Sequence, residues 1–249
     1  MTGSEGEAYR PAAEVRRDAA ALSLIALMLV VGLAVLLLHR LPARVVVHWN
    51  VAGQPNGWSS PALAALLPPL AALALWALLL LAPVIDPRRH RYAQFAPTYR
   101  TLRLAVVAVV AAVDGFTLAQ ALGARVDVPM VAALVVSLLM LLIGNVLPRL
   151  RPTWFVGIRT PWTLSDEEVW RRTHRWGGPL FMVAALVPLL GLWAAPRLLA
   201  ALVLAAVLVP ALTTAVYSYV VYAQLHRPAP AGGRGGGRCR GCPGPRTAA

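Results

Sequence analysis

The residues best suited to chemistry lie in one short stretch, residues 154–178, which reads WFVGIRTPWTLSDEEVWRRTHRWGG. It holds four tryptophans, three acids and five basic side chains including a histidine, within a chain that is 59% hydrophobic. His174, Glu168 and Arg159 could form a general acid–base site, or they could be the charged surface of a stabilised helix. The second interpretation accounts for the whole stretch, so we predict no catalytic residues and no enzyme.

The other reactive residue types predict neither a metal site nor a cofactor. The five histidines are scattered and form no H-E-x-x-H or other standard metal spacing, and no G-x-S-x-G occurs. Cys239 and Cys242 form a lone C-x-x-C, whereas a structural zinc site takes four ligands and a cytosolic disulfide does not persist. We therefore interpret them as two reduced thiols.

The composition is that of a membrane protein. Only 13% of the residues are charged and the mean hydropathy is +0.66, whereas a soluble domain has about a quarter charged residues. A membrane-crossing helix takes about 20 apolar residues. Six such runs are present, and we interpret the first as a retained anchor because it is longer than the apolar part of a signal peptide. The runs lie near 19–38, 62–85, 104–122, 128–147, 179–195 and 198–222.

The arginines predict the orientation. All 23 strongly basic residues are arginines, and 19 of them lie on one side if both termini are cytoplasmic. Such an excess is typical of the cytoplasmic side. The net charge of +13 then faces anionic lipid head groups, so membrane lipids are expected partners. We expect no direct nucleic-acid binding, because the six runs leave no separate globular domain.

The predicted fold class is all-α: a polytopic membrane protein with about six transmembrane helices and a cytoplasmic amphipathic interfacial helix. We divide the chain into a cytoplasmic tail at 1–18, two transmembrane helices with an external loop 39–61 at 19–85, a four-helix domain with a cytoplasmic motif loop 148–178 at 86–225, and a disordered basic Gly/Arg-rich tail at 226–249.

The motif loop predicts the interfacial helix. Ser165 and Glu168 have capping-box spacing, so we expect a helix to begin there. We also expect (i, i+4) pairs from Glu167 to Arg171 and from Glu168 to Arg172, and tryptophans and arginines that pin the helix to the leaflet. A Gly177-Gly178 pair would let the chain turn into the fifth span. The apolar face would hold Val169, Trp170, Thr173, Trp176 and Gly177.

The external loop contains a β-like RVVVHW run, and Asn56-Gly57 predicts its turn. Trp49 and Trp58 are expected at the level of the head groups. The pattern leaves open whether this loop is a compact connection between two helices or a surface that contacts a ligand.

Asp114 lies midway along the third apolar run, where an isolated carboxylate costs several kcal/mol unless it is paired, hydrated or protonated. Two interpretations stay open: a protonated packing element, or a proton or ion relay in a small-solute or proton-coupled transporter. The lack of a clear inverted repeat weakens the transporter interpretation. Candidate partners within the bundle are Asn145, Gln120, Thr213, Thr214 and Tyr217.

The amino-acid sequences of the two loops resemble those of a known family. GIRTPWTL followed by EEVWRRTHR is similar to the signature of the SdpI family of bacterial immunity membrane proteins. LPARVVVHWNVAGQPNGWSSP looks like the N-terminal domain of unknown function that is often fused ahead of that signature. The resemblance covers approximately residues 24–222. Thr153-Trp154 departs from the family pattern, which has an Asn and a Tyr there.

The resemblance implies a multi-pass protein of the bacterial cell membrane that protects its producer from a secreted, membrane-acting peptide toxin. It also implies signalling, in which a cytosolic transcriptional repressor is held at the membrane when toxin is present. The matching partner or signalling positions are Gly157, Arg159, Thr160, Pro161, Trp162, Trp170, Thr173 and His174. The matching external candidates for sensing a peptide are His48, Trp49, Asn50, Gly53 and Trp58.

Overall fold

A computed structural model describes residues 9–50 and 52–227, so the predicted C-terminal tail from residue 228 onward, with Cys239 and Cys242, lies outside the described residues. The helices are α1 (Pro11–Arg17), α2 (Ala19–Leu37), α3 (Pro61–Ile85), α4 (Ala96–Ala121), α5 (Val128–Val146), α6 (Pro161–Ser165), α7 (Glu167–Ala184), α8 (Leu186–Ala194) and α9 (Leu199–Leu225). Short 3₁₀ turns occupy Arg89–Phe95, Leu147–Arg149 and Pro196–Leu198, and two strands, β1 (Val45–Trp49) and β2 (Pro55–Ser59), follow α2.

The structure confirms an all-α polytopic membrane protein. Among the described residues, six helical segments are long and apolar enough to cross a membrane. With six crossings, the β1–β2 hairpin and the motif loop 148–178 lie on opposite faces of the membrane, here called the hairpin face and the signature face. The spans are Ala19–Leu37, Pro61–Ile85, Arg89–Ala121, Val128–Arg149, Glu167–Ala194 and Leu199–Leu225.

The fifth span begins earlier than predicted. Its helix starts at Glu167 and continues without interruption into the apolar run. Gly177 and Gly178 are helical and do not turn the chain. Gly178 lies where α7 crosses α5, since a Cβ there would lie 2.8 Å from the carbonyl oxygen of Gly144, whereas Gly177 faces Leu147 and Thr214 of α9. Small residues at such a crossing let two membrane helices approach closely.

The hairpin face carries an antiparallel two-stranded sheet in which Val45 pairs with Ser59 and His48 with Gly57. The prediction of a turn at Asn56-Gly57 was wrong, because both residues lie in β2. The chain instead reverses after Asn50, whose side-chain oxygen accepts hydrogen bonds from the backbone N–H groups of Ala52 and Gln54, at 3.0 and 2.9 Å. This Asx geometry replaces the expected Asn-Gly turn.

The N-terminal segment folds back on the signature face and is described from Tyr9. Arg103 of α4 is fully buried there and donates to Asp18 at 2.7 and 3.0 Å and to Glu14 at 2.8 Å. The indole N–H of Trp76 in α3 also donates to Asp18, at 2.9 Å. Buried charges are stable only when paired and hydrogen-bonded in this way. The network therefore ties α1 and α2 to α3 and α4.

Candidate functional site

The signature loop, residues 150–165, is held by a buried histidine of α7. His174 is 1% exposed, and its Nε2 accepts a hydrogen bond from the backbone N–H of Ile158 at 2.9 Å. Its Nδ1 lies 2.9 Å from the carbonyl oxygen of Trp170, one helical turn earlier. An Nε2 that accepts requires Nδ1 to carry the proton and donate it to Trp170, so the ring is a neutral imidazole with both nitrogens engaged. His174 is thus a structural support for the loop.

Trp170 and Gly157 complete this support. The Trp170 indole is 1% exposed, stacks on His174 with ring centroids 4.0 Å apart, and donates its N–H to the carbonyl oxygen of Leu150 at 3.1 Å. Gly157 has φ of +116°, and a Cβ there would lie 2.6 Å from both rings. Only glycine combines this backbone conformation with so close an approach to the stacked rings.

A cluster of hydroxyls joins the signature loop to α9. Thr160 caps α6: its hydroxyl accepts from the backbone N–H of Thr163, and the Thr163 hydroxyl accepts from the backbone N–H of Thr160, at 3.2 and 3.0 Å. The Thr160 hydroxyl also lies 2.9 Å from that of Ser218 in α9. The capping box thus occurs at Thr160 and Thr163, and the prediction at Ser165 and Glu168 was wrong because Ser165 is the last residue of α6.

The start of α7 is capped by Asp166, whose carboxylate accepts from the backbone N–H groups of Glu168 and Val169 at 2.7 and 3.1 Å. The predicted pair of Glu168 with Arg172 is confirmed at 2.6 Å. The other predicted pair is wrong, because Glu167 bonds Arg91, which lies in the connection from α3 to α4. That ion pair links the start of α7 to this connection.

Asp86, which the sequence analysis missed, is the main link to the α3–α4 connection. Its carboxylate is 2% exposed and accepts from the backbone N–H of Trp154 at 2.9 Å and from the Tyr92 hydroxyl at 2.8 Å. It also accepts from its neighbour, the backbone N–H of Arg88, at 2.7 Å. A motif search had no reason to select an aspartate just after a span, since its partner Trp154 lies 68 residues away.

The buried side of α7 differs from the predicted face. Val169, Thr173 and Gly177 are buried as expected. Trp176, however, is 40% exposed, and His174 is buried on this side of the helix instead. Trp170 packs inside the protein, so it does not anchor the helix to lipid as predicted. The aromatic that does point outward, Trp176, stacks on Tyr217 of α9 with centroids 4.6 Å apart.

The remaining signature residues form an outward surface. Arg159 and Pro161 are exposed, and Trp162 is half-buried against Tyr219 of α9, with ring centroids 5.0 Å apart. The Arg159 guanidinium donates to the carbonyl oxygen of Trp154 at 2.5 Å. The predicted signature residues therefore divide into internal supports (Gly157, Trp170, Thr173 and His174) and a presented surface around Arg159, Pro161 and Trp162, with Thr160 between them.

The external candidates are brought together by the hairpin. His48 is exposed and its Nδ1 donates to the side-chain oxygen of Asn56 at 2.6 Å, while Trp58 is 55% exposed. Trp49 packs on Phe116 of α4, with centroids 5.0 Å apart. Asn50 forms the Asx turn, and Gly53 has φ of +74° within it. His48 and Trp58 are thus the most accessible of the five candidates.

Asp114 is 3% exposed, and its Oδ1 has no hydrogen-bond partner among the described residues. The candidate partners bond elsewhere: Asn145 is exposed and accepts from Arg149 at 3.1 Å, and Thr214 donates to the carbonyl oxygen of Pro210 at 2.8 Å. Gln120 leaves its own buried side-chain oxygen unpartnered within the described chain. In residues 9–50 and 52–227 no group of three His, Cys, Asp or Glu residues could hold a metal ion.

Comparisons with known proteins find two matching segments of the chain. Residues 149–219 match the SdpI/YfhL protein family, and residues 24–73 match a domain of unknown function named DUF1648. The chain is similar to a Bacillus subtilis (strain 168) protein called Immunity protein SdpI, with 22% identity over 154 residues, which are 62% of this chain and 72% of the relative. No solved structure matches the chain.

The family resemblance seen in the two loops is therefore confirmed. The matched segments contain the signature loop with α7 and most of α9, and the hairpin with most of α2 and half of α3. The buried histidine, its glycine neighbour and the hydroxyl cluster all lie within the SdpI/YfhL segment.

Proposed function

We propose that this SdpI-like membrane protein gives its cell immunity to a membrane-active peptide toxin and signals the presence of that toxin through its signature loop. The hairpin face would meet the toxin, and the signature face would be cytoplasmic and recruit a transcriptional repressor. The observation that carries the proposal is the construction of the signature loop. Buried residues fix its shape, while Arg159 and Trp162 are left at the surface.

A docking surface needs side chains with large contact areas on a rigid support. Tryptophan and arginine are the residues that contribute most at protein interfaces. Here both stand on a loop whose backbone is bonded to α7 through His174 and to the α3–α4 connection through Asp86, and whose Thr160 hydroxyl is bonded to Ser218 of α9. A change in the packing of those helices would therefore alter the loop that presents them, which is the requirement for a signal.

Two further arguments support immunity. The relative with 22% identity is named as an immunity protein, and the matched regions include both loops. On the hairpin face, Trp58 offers an exposed ring on a short sheet, a suitable contact for an amphipathic peptide at the lipid head groups.

The test is survival of a sensitive bacterium exposed to dilutions of the secreted peptide fraction of the source strain. Cells expressing the intact chain should survive. Trp58→Ala should weaken protection, whereas Trp193→Ala, which removes another exposed tryptophan from the hairpin face, should not. Arg159→Ala with Trp162→Ala should keep protection but abolish toxin-dependent expression of a reporter placed behind the promoter of this gene. Failure of the intact chain to protect, while present in the membrane, would refute the proposal.

A second candidate function is transport coupled to Asp114. The observation in its favour is the buried Oδ1 that no described residue satisfies, because such groups in membrane spans commonly mark ion or proton pathways. Purified protein in vesicles would then move protons or a small solute, and Asp114→Asn would abolish that flux. If Asp114→Asn leaves both flux and protection unchanged, the carboxyl is a packing element.

A further inference from the structure

A basic cleft opens beside α7 on the signature face. It has a volume of about 640 Å³ and is lined by four arginines, Arg149, Arg151, Arg171 and Arg175, together with the two acids Glu167 and Glu168. His174 and Trp170 contribute to its inner wall. Because both nitrogens of His174 are engaged, the charge of the cleft comes from the arginines and the acids alone.

The acids of this cleft are already neutralised. Glu167 is bonded by Arg91, and Glu168 is bonded by both Arg171 and Arg172. No carboxylate in the part of the chain that the structure describes forms an ion pair with Arg151 or Arg175, and both side chains are exposed. The cleft therefore has an excess of positive charge and suits an anion that accepts several hydrogen bonds, such as a phosphate group.

An apolar groove lies further along α7. It has a volume of about 530 Å³, shares Arg175 with the cleft, runs past Leu180 and Val183 and is bordered by Tyr217 of α9. The residues of this groove belong to the spans, and Val183 is 62% exposed toward the surrounding lipid. A charged cleft and an apolar groove that share Arg175 match an amphiphile better than a free anion.

We propose that these two cavities bind one anionic phospholipid, with its head-group phosphate against Arg151 and Arg175 and an acyl chain along Leu180 and Val183. The inference does not depend on immunity, since lipid binding could occur whether or not the protein meets a toxin. It assigns a specific lipid site to a surface whose arginines would otherwise contact bulk lipid. Basic pockets between membrane helices bind anionic head groups by this chemistry.

The test is native mass spectrometry of the detergent-purified full chain with phosphatidylglycerol, phosphatidylcholine or water-soluble glycerol phosphate. Phosphatidylglycerol should bind more tightly than phosphatidylcholine. Arg151→Gln with Arg175→Gln should weaken the binding of phosphatidylglycerol roughly 25-fold, since each arginine near a lipid surface contributes about fivefold. The matched control is Arg125→Gln with Arg197→Gln, two exposed arginines of the hairpin face, and should bind as the unaltered chain does.

Three results would overturn the proposal. Equal affinity for the two phospholipids would exclude an anionic site, and unchanged binding by the Arg151 and Arg175 variant would exclude this cleft. Displacement of phosphatidylglycerol by an equal concentration of glycerol phosphate would show a free-phosphate site. The variant with Arg151→Lys and Arg175→Lys separates charge from folding: it should keep most of the affinity and melt at the same temperature as the glutamine variant.

Discussion

The Nε2 atom of His174 accepts the backbone N–H of Ile158 at 2.9 Å, so one side chain of a membrane helix holds the backbone of the signature loop. The contact requires an unprotonated Nε2, which the hydrogen bond from Nδ1 to Trp170 favours. The ring also fills the space beneath Gly157. Loss of this one ring therefore removes a hydrogen bond, a stacking partner and a packed volume together.

His174→Ala should lower the melting temperature of the purified protein by roughly 5–10 °C, because an unsatisfied buried N–H and a cavity together cost about 2–4 kcal/mol. Thermal unfolding in detergent gives the value. The control is His90→Ala, which removes an exposed histidine from the same face and should leave the melting temperature unchanged. Equal melting of the two variants would mean that His174 does not support the loop.

Gly157→Ala should unfold the signature loop, because a methyl group there meets the rings of His174 and Trp170 and the φ of +116° is strained for alanine. We expect a loss of more than about 2 kcal/mol, measured as the free energy of unfolding or as faster proteolysis within residues 150–165. The matched control is Gly115→Ala. No atom lies within 4 Å of its added Cβ, so the helix should be unchanged or slightly more stable.

Asp86→Asn should loosen the contact between the signature loop and the α3–α4 connection. An amide in place of the carboxylate has one acceptor oxygen for three donors, and its NH₂ would face another donor. Amide hydrogen exchange at Trp154 should become roughly tenfold faster or more, which corresponds to about 1.4 kcal/mol. Asp127→Asn changes a helix cap on the hairpin face, and exchange at Trp154 should not respond to it.

The pH dependence of stability should include a contribution from Glu14. Burial raises the pKa of Glu14, but hydrogen bonds from Arg103, Arg17 and Arg100 outweigh it and hold the pKa below its usual 4.5. A carboxyl with a lowered folded pKa stabilises the protein above the unfolded pKa and loses that effect as the pH falls through the folded value.

Glu14→Gln should therefore lower the melting temperature at pH 7, and its difference from the unaltered chain should shrink below about pH 4.5. Glu167→Gln is the comparison, since it removes an ion pair whose carboxylate is 69% exposed and should have little effect at either pH. A Glu14→Gln difference that stays constant down to pH 3 would contradict the role of this carboxylate.

The six spans were predictable because their signal is local: about 20 apolar residues suffice to identify each one. The β1 strand was likewise visible in RVVVHW. The position of the turn was not predictable, since both Asn50 and Asn56-Gly57 are suitable turn residues. Which of them forms the turn depends on the pairing of Gly57 with His48 across the sheet. A helix was predicted at the start of α7, but its continuity with the fifth span was missed because its first turns are charged and Gly177-Gly178 suggested a turn.

The sequence predicted several residues of the candidate site but not how they are arranged in space. Sequence identified His174 and Trp170, yet helical periodicity placed Trp176 on the buried side, where the structure has His174. Asp86 and Arg103 were missed because their partners are 68 and 85 residues away. The available signal was the position of Arg103 directly before the third apolar run, with Glu14 and Asp18 one helical turn apart directly before the first.

The pairing of Asp18 with Arg103 also means that the first span waits for its ion-pair partner during synthesis. The carboxylate leaves the ribosome 85 residues before its guanidinium partner, an interval of roughly 4–17 s at about 5–20 residues per second. During that interval the first two spans can enter the membrane, but Asp18 and Glu14 have no buried cation and must stay in contact with water. We therefore expect the first three spans to reach their final packing together, only after the third span has been made.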